Sequence, residues 1–398
     1  MSVQDLALQR SKYKHLSDEE WRWFLQQAEG RERTADKLPT FAAIEDWWYP
    51  VRLSCEQCSS ELAAKYKAKI VASQTPPTPL SKGEENVASS MVDLTGGYGV
   101  DTYFLSESFA HTDYVEQNAE LCRIATHNFF HKPITIHNTT AEDFLTKSQI
   151  VNCKSSNRKS EYDLIYIDPA RRDSHGGKVF RLENCMPNVV ELLPTLLNHL
   201  TPNGRLMLKL SPMLDLTQAV KSLSQVTWDI HVVAIKNEVK EVLLLSGGAS
   251  KITAIDLDHP DQAFVFTREE EQDCRLVNGT CENGKWLYEP NAAILKAGAY
   301  KTIATRLSLH KAAPNTHLYL SDSLVESFPG RVWRIVKTIK DRKDLPEGIK
   351  QANVITRNYP LKAEQLKKHL RLNDGGAEYI IGFRMMDKPT VVLAERIQ

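Results

Sequence analysis

Three glycines stand between an apolar segment and a helical segment at residues 93–101. The order Asp93-Leu94-Thr95-Gly96-Gly97-Tyr98-Gly99-Val100-Asp101 follows a short apolar run that begins at Met91. Glycines in such a turn let the backbone bend tightly and approach a ligand where a Cβ atom would collide. We therefore predict a cofactor-binding loop whose binding residues are Asp93, Thr95, Gly96, Gly97 and Gly99. The alternative is a glycine turn that serves packing alone.

The spacing of these glycines bears on the kind of cofactor. The dinucleotide fingerprint is G-x-G-x-x-G, and its third glycine position, counted from Gly97 and Gly99, holds Thr102. This weighs against a nicotinamide-dependent oxidoreductase, which we keep as an alternative function. Glu116 ends the next apolar segment, roughly 20 residues after the glycines, where doubly wound folds place an acid that binds both ribose hydroxyls. We therefore assign Glu116 to the cofactor site.

An acid, a proline and two arginines follow a third apolar segment. Residues 162–167 lead into Asp168-Pro169-Ala170-Arg171-Arg172. Open α/β sheets bind ligands at the carboxyl ends of their strands, and a proline there stiffens the loop and removes a backbone donor. We therefore expect Asp168 and Pro169 at the reaction site.

Taken together, these segments resemble the class I S-adenosylmethionine-dependent methyltransferases over about residues 88–250. The loop from Asp93 to Gly99 resembles their glycine motif, Glu116 their ribose acid, and Asp168-Pro169 their D/N-P-P-Y motif, which holds an acceptor amine. The resemblance implies S-adenosylmethionine as the cofactor, and Asp168 and Pro169 as catalytic residues.

Two departures from the family pattern affect the site. Ala170-Arg171 replaces the usual proline and aromatic pair, and residues 139–143 lack the acid that directly precedes the alanine at the adenine contact. We expect Glu142 or Asp143 to take the place of that acid in cofactor binding.

The motif at Asp168 is also similar to the D-P-P-R motif of RNA uracil-C5 methyltransferases. Their chemistry needs a cysteine nucleophile near the end of the next strand, and residues 208–213 of this chain contain none. A covalent pyrimidine-C5 mechanism is therefore not expected. Methyl transfer to nitrogen or oxygen requires mainly alignment of the nucleophile, the methyl group and the sulfur. Because Asp168 can accept a hydrogen bond from an amine, we expect nitrogen as the methylated atom.

Positive charge indicates a nucleic acid as the substrate. Arg171 and Arg172 can bind phosphate in a bidentate manner, unless they form ion pairs with neighbours such as Asp173 or Glu183. Residues 326–398 carry 15 Lys+Arg against 9 Asp+Glu, a surplus of +6, whereas the whole chain is balanced at 50 against 50. We predict that Arg171 and Arg172 bind the substrate and that the basic C-terminal region recruits it.

The order of regions along the whole chain is similar to a family of methyltransferases with a small ferredoxin-like insert and a THUMP-like C-terminal domain. THUMP domains belong to RNA-modifying enzymes. The resemblance therefore implies a structured RNA as substrate and partner. A further alternative for the whole chain is a non-catalytic RNA-binding protein with a degenerate cofactor fold. The alternative for residues 326–398 is a domain that only packs against the core.

The elements that must position these residues alternate between strand and helix from Met91 onward. Such alternation is typical of an α/β fold with a doubly wound, Rossmann-like parallel sheet. The apolar runs at 228–235 and 241–247 predict a two-stranded hairpin that closes the sheet edge. Aromatic residues at helical spacing predict a helical N-terminal region. We predict four domains: residues 1–80, helical; 81–272, methyltransferase; 273–325, ferredoxin-like; and 326–398, THUMP-like.

The composition indicates a globular enzyme of more than one domain. The 398 residues are 42% hydrophobic and 25% charged, which excludes disordered and fibrous classes. No run approaches the roughly 18 apolar residues of a membrane span, and the N-terminus is polar, so we expect a cytoplasmic protein without membrane contact. The seven cysteines favour reduced thiols. Cys55 and Cys58 lack two further ligands at zinc spacing, and no metal is expected.

Overall fold

The computed structural model describes residues 3–74, 89–152, 161–171, 181–275 and 285–397. The chain divides into two units, Met1–Thr227 with Leu243–Gly247 and Trp228–Val242 with Gly248–Gln398. In the described part of the chain, every helix is too short or too polar to span a bilayer.

The first unit begins with five helices, as the aromatic spacing predicts. The second of them starts with a capping box, in which the Ser17 hydroxyl accepts from the Glu20 N–H and the Glu20 carboxylate accepts from the Ser17 N–H. The helical pattern predicted as far as Tyr49 ends at Ala42, and residues 43–50 contain no helix; Pro50 disfavours helical backbone at Tyr49. The helices are α1 (Val3–Ala7), α2 (Asp18–Thr34), α3 (Pro39–Ala42), α4 (Arg52–Gln57) and α5 (Glu61–Gln74).

Aromatic side chains of this N-terminal region form one core with residues that follow the glycine loop. Phe41 and Trp47 stack with ring centroids 4.1 Å apart, and both belong to the buried cluster that includes Phe129. The Trp47 indole N–H donates to the Tyr98 hydroxyl at 2.8 Å, and this hydroxyl donates to the Trp48 carbonyl at 3.3 Å. The irregular segment between α3 and α4 therefore supports the loop directly.

The first unit contains the predicted parallel sheet. Its strands are β1 (Ser90–Asp93), β2 (His111–Glu116), β3 (Ile134–Asn138), β4 (Tyr162–Ile167) and β7 (Leu200–Leu210), with β5 (Ala170–Arg171) and β6 (Cys185–Met186) forming a separate pair. The order is β7-β4-β1-β2-β3, and all four neighbouring pairs are parallel. Helices between them are α6 (Val100–Leu105), α7 (Ala119–Asn128), α8 (Ala141–Asn152), α9 (Val189–Asn198) and α10 (Leu216–Ser222). The doubly wound prediction is confirmed, and the strand order reverses between β1 and β4.

The second unit contains the predicted hairpin, but further strands follow it and form the edge of the sheet. Its strands are β8 (Trp228–Ile235), β9 (Glu238–Ser246, which continues into the first unit), β10 (Lys251–Asp256) and β11 (Phe264–Thr267), followed by α11 (Arg268–Asp273). Lys236 and Asn237 both have positive φ, as a tight turn between β8 and β9 requires. The hairpin does not close the edge, because β10 pairs parallel with β8 and β11 pairs antiparallel with β10.

A seven-stranded sheet forms the rest of the second unit, in the order β13-β14-β12-β15-β18-β17-β16. Its elements are β12 (Trp286–Pro290), α12 (Ala292–Ala297), α13 (Tyr300–Arg306), β13 (His310–Ala313), β14 (Thr316–Ser321), β15 (Gly330–Thr338), β16 (Asn353–Arg357), α14 (Ala363–His369), β17 (Glu378–Met385) and β18 (Lys388–Arg396). The sheet crosses the predicted boundary at 325/326, because Leu287 of β12 lies opposite Trp333 of β15 and both belong to one core. The four domain boundaries stay a prediction.

Candidate active site

A cavity of about 710 Å³ opens where the strand order reverses, at the carboxyl ends of β1, β2 and β4. This is the position at which open α/β sheets bind ligands, and the volume is typical of a small-molecule site. The cavity brings together most of the predicted site residues, namely Asp93, Thr95, Gly96, Gly97, Gly99, Glu116, Glu142 and Asp168.

The glycine loop passes too close to two aromatic rings to carry side chains. A Cβ atom on Gly96 would lie 2.1 Å from the Tyr114 ring, and one on Gly99 would lie 2.4 Å from the Phe129 ring. Gly99 also has a φ of 80°, in the left-handed region that favours glycine. The Tyr114 hydroxyl donates to the Gly97 carbonyl at 2.5 Å. The loop is therefore held in one conformation with its backbone at the cavity wall.

Glu116 braces the loop from the end of β2. Its Oε2 accepts from the Gly97 N–H at 2.9 Å, and its Oε1 accepts from the Asn118 N–H at 2.8 Å. Because a carboxylate offers about four acceptor positions, these two bonds orient Glu116 and leave capacity for ligand hydroxyls. A ribose with two adjacent hydroxyls matches this arrangement.

Asp93 lies beneath the loop and is only 1% exposed. Its Oδ2 accepts from the Thr102 hydroxyl at 2.5 Å and its Oδ1 from the Thr95 N–H at 2.9 Å. Burial raises the pKa of Asp93 to about 7, because removal from water costs the charged form more than these hydrogen bonds return. The Thr95 hydroxyl accepts from the Asp168 N–H at 2.7 Å and so connects the ends of β1 and β4.

The Asp168 side chain is held by a lysine of the neighbouring strand. Lys209 of β7 donates from Nζ to the Asp168 Oδ2 at 2.5 Å, and the same Nζ lies 3.7 Å from Oδ2 of Asp101. No donor in the described part of the chain reaches the other oxygen of Asp168, Oδ1. Asp168 therefore presents one engaged and one available oxygen at the cavity wall.

A buried charge network continues below Lys209. Asp101, at the start of α6, lies 3.1 Å from Nζ of the fully buried Lys67 of α5. Its Oδ2 accepts from the hydroxyls of Ser59 and Tyr166, each at 2.7 Å. Although burial alone acts in the opposite direction, the ammonium groups of Lys67 and Lys209 hold the pKa of Asp101 below its ordinary value. Sequence reasoning missed this network; its one visible signal was Lys209, a charge within the apolar run of residues 206–210.

A solved structure with the same architecture comes from a methyltransferase. The chain is 30% identical to a protein of Porphyromonas gingivalis W83 whose crystal structure is assigned to a methyltransferase; the match covers 96% of this chain and 92% of that one, with a TM-score of 0.79. The chain belongs to this methyltransferase family. Residues 286–329 match a ferredoxin-like domain and residues 330–396 match a THUMP-like domain. The family resemblance stated from the sequence is confirmed.

Two further relatives of the methyltransferase come from Mycobacterium tuberculosis, strains CDC 1551 / Oshkosh and ATCC 25618 / H37Rv. Each is named as an uncharacterized S-adenosylmethionine-dependent methyltransferase and is 24% identical over 220 residues. The match covers 52% of this chain and 56% of each relative, so the chain spans little more than half of their length.

The remaining predicted residues of the methyltransferase lie at or beyond the rim of the cavity. Glu142 lines the wall, whereas Asp143 turns its N–H to the Thr140 hydroxyl at 3.1 Å and does not line it. Pro169 is buried behind the wall. The backbone of Arg171 pairs with Cys185 of β6, and Arg172 lies outside the described residues.

The N-terminal helices of the methyltransferase also contribute to the wall, through Ser54, Gln57, Cys58 and Ser59. Burial raises the pKa of the Cys55 thiol to about 12 and also raises the pKa of Cys58. Thiols that stay protonated at neutral pH are poor nucleophiles and poor metal ligands. Within the described ranges, no three metal-binding side chains come together.

Proposed function

We propose that this methyltransferase binds S-adenosylmethionine in the 710 Å³ cavity and transfers its methyl group to a nitrogen atom of a structured RNA. The observation that carries the proposal is the position of Asp168 in the wall that also contains the glycine loop and Glu116. Glu116 would hold the ribose hydroxyls, and the close backbone of Gly96 and Gly97 would hold the part of the cofactor that a side chain would exclude.

The main role of this chain in the reaction is to align the acceptor amine with the methyl group. When bound, S-adenosylmethionine supplies a methyl group on a sulfonium, which leaves as a neutral thioether without acid catalysis. The available oxygen of Asp168 would accept an N–H of the acceptor amine and direct its lone pair toward the methyl carbon. The amine loses one proton once the carbon–nitrogen bond has formed, and the Asp168 carboxylate is placed to accept it.

A nitrogen target agrees with the side chains around Asp168. Covalent attack on a pyrimidine carbon needs a thiolate near the methyl group, and the thiol in the cavity wall is Cys58, whose pKa is raised. At the strand end where a cysteine would stand in such enzymes, this chain has Lys209, bound to Asp168. These residues favour direct transfer to an amine.

RNA as the substrate is supported by the second unit. The THUMP-like region covers residues 330–396, and residues 326–398 carry a surplus of six positive charges. Lys343, Lys350 and Arg371 are exposed there, and such side chains contribute phosphate contacts. The cytoplasmic location predicted from the sequence is part of this proposal, since cellular RNA is the expected substrate.

The test uses purified full-length protein with isotopically labelled S-adenosylmethionine and RNA from cells that lack the gene. We expect label in RNA, a methylated amine on mass spectrometry of its nucleosides, and loss of labelling with Asp168→Asn. RNA binding without transfer would instead support the non-catalytic alternative. Calorimetric binding of a nicotinamide dinucleotide, with none of S-adenosylhomocysteine, would support the oxidoreductase alternative.

A further inference from the structure

A second cavity, of about 760 Å³, lies in the first unit at the C-terminal end of α7. It shares no wall residue with the cofactor cavity, whose walls include Asn118 and Leu121 at the other end of this helix. The two cavities lie toward opposite ends of α7, whose 10 residues span about 15 Å. The side chains that matter here are Trp48, Arg123, His127, Phe130, His131 and Lys132.

The cavity has aromatic surfaces of two kinds. Trp48 and His127 stack face to face, with centroids 3.8 Å apart and planes 9° from parallel. Phe130, in contrast, is 79% exposed, and it is the single aromatic among the exposed large apolar side chains of the described residues. The Phe130 ring is therefore not part of the core, and packing in the core does not explain an apolar side chain at this position. A flat apolar ligand would cover it.

The charges around these rings favour an anionic ligand. The permanent cations Arg123 and Lys132 line the cavity with His127 and His131, against one carboxylate, that of Asp46, which lies 3.3 Å from His127 Nε2. Arg123 and Lys132 also pair with Glu120 and Glu107, at 2.7 and 3.3 Å. Both of these carboxylate side chains are about half exposed and lie outside the wall. Arg123 makes two hydrogen bonds to Glu120, at 2.7 and 2.9 Å, whereas Lys132 and Glu107 lie 3.3 Å apart, so a phosphate competes more readily for Lys132.

The cavity is also preorganised by contacts to the backbone. The Asn128 side chain accepts from the Trp48 N–H and donates to the Trp48 carbonyl, both at 2.9 Å. His127 Nε2 lies 2.7 Å from the Asp46 carbonyl. These bonds fix the segment at 46–48 against α7, so little ordering remains to be done when a ligand binds.

We propose that this second cavity binds one unpaired nucleobase of an RNA strand, stacked on Phe130, with the adjacent phosphate on Lys132 and Arg123. Stacking on an aromatic side chain together with nearby cations is the way in which proteins bind single-stranded nucleic acid without reading its sequence. The identity of the strand as RNA rests on the proposed function. The substrate would then contact the enzyme in both cavities, with its target amine at Asp168 and an unpaired base at Phe130.

The experiment measures binding of a fluorescein-labelled ten-nucleotide oligoadenylate RNA to full-length variants by anisotropy. We expect Phe130→Ala to weaken binding about tenfold and Phe130→Trp to restore it, because the loss of one stacked base costs this much. Lys132→Gln should weaken binding and lower the slope of affinity against salt by about one. Leu8→Ala, an exposed apolar residue outside the cavity, is the matched control and should bind as the unmodified protein does.

Several outcomes would overturn the proposal. Equal RNA affinity of the unmodified protein, Phe130→Ala and Lys132→Gln excludes an RNA site here, even if methyl transfer to RNA is observed. Binding of adenosine monophosphate but not of the oligonucleotide would mean a free nucleotide as the occupant. If the unmodified protein binds S-adenosylhomocysteine but neither binds nor methylates RNA, both the proposed function and this RNA site are overturned. Unchanged S-adenosylhomocysteine affinity in each variant shows that the fold is intact.

Discussion

Lys209 and Asp168 form an ion pair of 2.5 Å across neighbouring strands in the wall of the cofactor cavity. Lys209 is only 14% exposed and also lies near Asp101, so its ammonium stands between two carboxylates. A lysine that contacts two carboxylates restrains the positions of both side chains. Its effect on the reaction must therefore pass through the orientation of Asp168.

Removal of Lys209 should slow methyl transfer without loss of cofactor binding. For Lys209→Met we expect kcat to fall by about ten- to a hundredfold, because the freed Asp168 side chain samples unproductive rotamers. Affinity for S-adenosylhomocysteine should change less than about threefold. The double variant with Asp168→Asn should be no slower than Asp168→Asn alone; independent, multiplicative losses would contradict a role through Asp168. Lys240→Met, which removes another paired lysine outside the cavity, serves as the control.

Glu116 should dominate the affinity for the cofactor. Glu116→Ala removes an acceptor for ligand hydroxyls and also the brace of the Gly97 N–H, so we expect S-adenosylhomocysteine to bind about ten- to a hundredfold more weakly in calorimetry. Glu116→Gln keeps one acceptor oxygen and should lose less. Glu120→Ala, an exposed acid one turn further along the chain, should bind normally. An unchanged affinity of Glu116→Ala would remove this residue from the cofactor site.

The buried acid Asp93 should make stability depend on pH. Its folded pKa of about 7 exceeds the ordinary value of 3.8, so the folded state binds more protons than the unfolded state between these values. The stabilising contribution of protonated Asp93 is complete below about pH 4 and is lost as pH rises through about 7. Asp93→Asn cannot titrate. The melting temperature of this variant minus that of the unmodified protein should therefore be higher at pH 8 than at pH 5. An equal difference at both pH values would contradict the raised pKa.

Charges of the THUMP-like region should supply salt-dependent RNA affinity. Lys343→Gln, Lys350→Gln and Arg371→Gln combined should weaken binding of structured RNA and flatten its dependence on salt concentration, because each phosphate contact releases about one counterion. Cofactor affinity should stay the same. Surface substitutions are preferable to a truncation after Ser321, which would remove β15 from β12 and open the core around Trp333. Unaltered RNA binding in gel shifts would exclude recruitment by these side chains.

The parts of the site that are local in sequence could be predicted. Asp93, the glycines, Glu116 and Asp168 each follow an apolar strand directly, and parallel strands bring their carboxyl ends to one edge. The order of strands and helices from β1 to β7 follows from the same alternation of apolar runs.

The charge network below the cavity could not be predicted in this way. Lys67, Asp101 and Lys209 are far apart in sequence and meet only when α5 packs beside α6 and β7 is in place. A lysine in a helix is usually exposed, so nothing local marks Lys67 as buried. The prediction that the hairpin closes the sheet edge was wrong for a related reason, because sheet order depends on pairing between segments and not on the pattern of any one of them.

The bond between Trp47 and Tyr98 makes the cofactor loop depend on a segment 50 residues upstream. Proteins open locally at free energies well below that of global unfolding, and segments of irregular structure are among the first to do so. When residues 43–49 detach, Tyr98 loses its partner, and the loop keeps the bonds of Gly97 to Tyr114 and Glu116 but not the one to Trp47. Heat should therefore inactivate this protein before its sheets melt, and in hydrogen exchange the Gly99 amide should follow the N-terminal segment in protection, not the strand that precedes it.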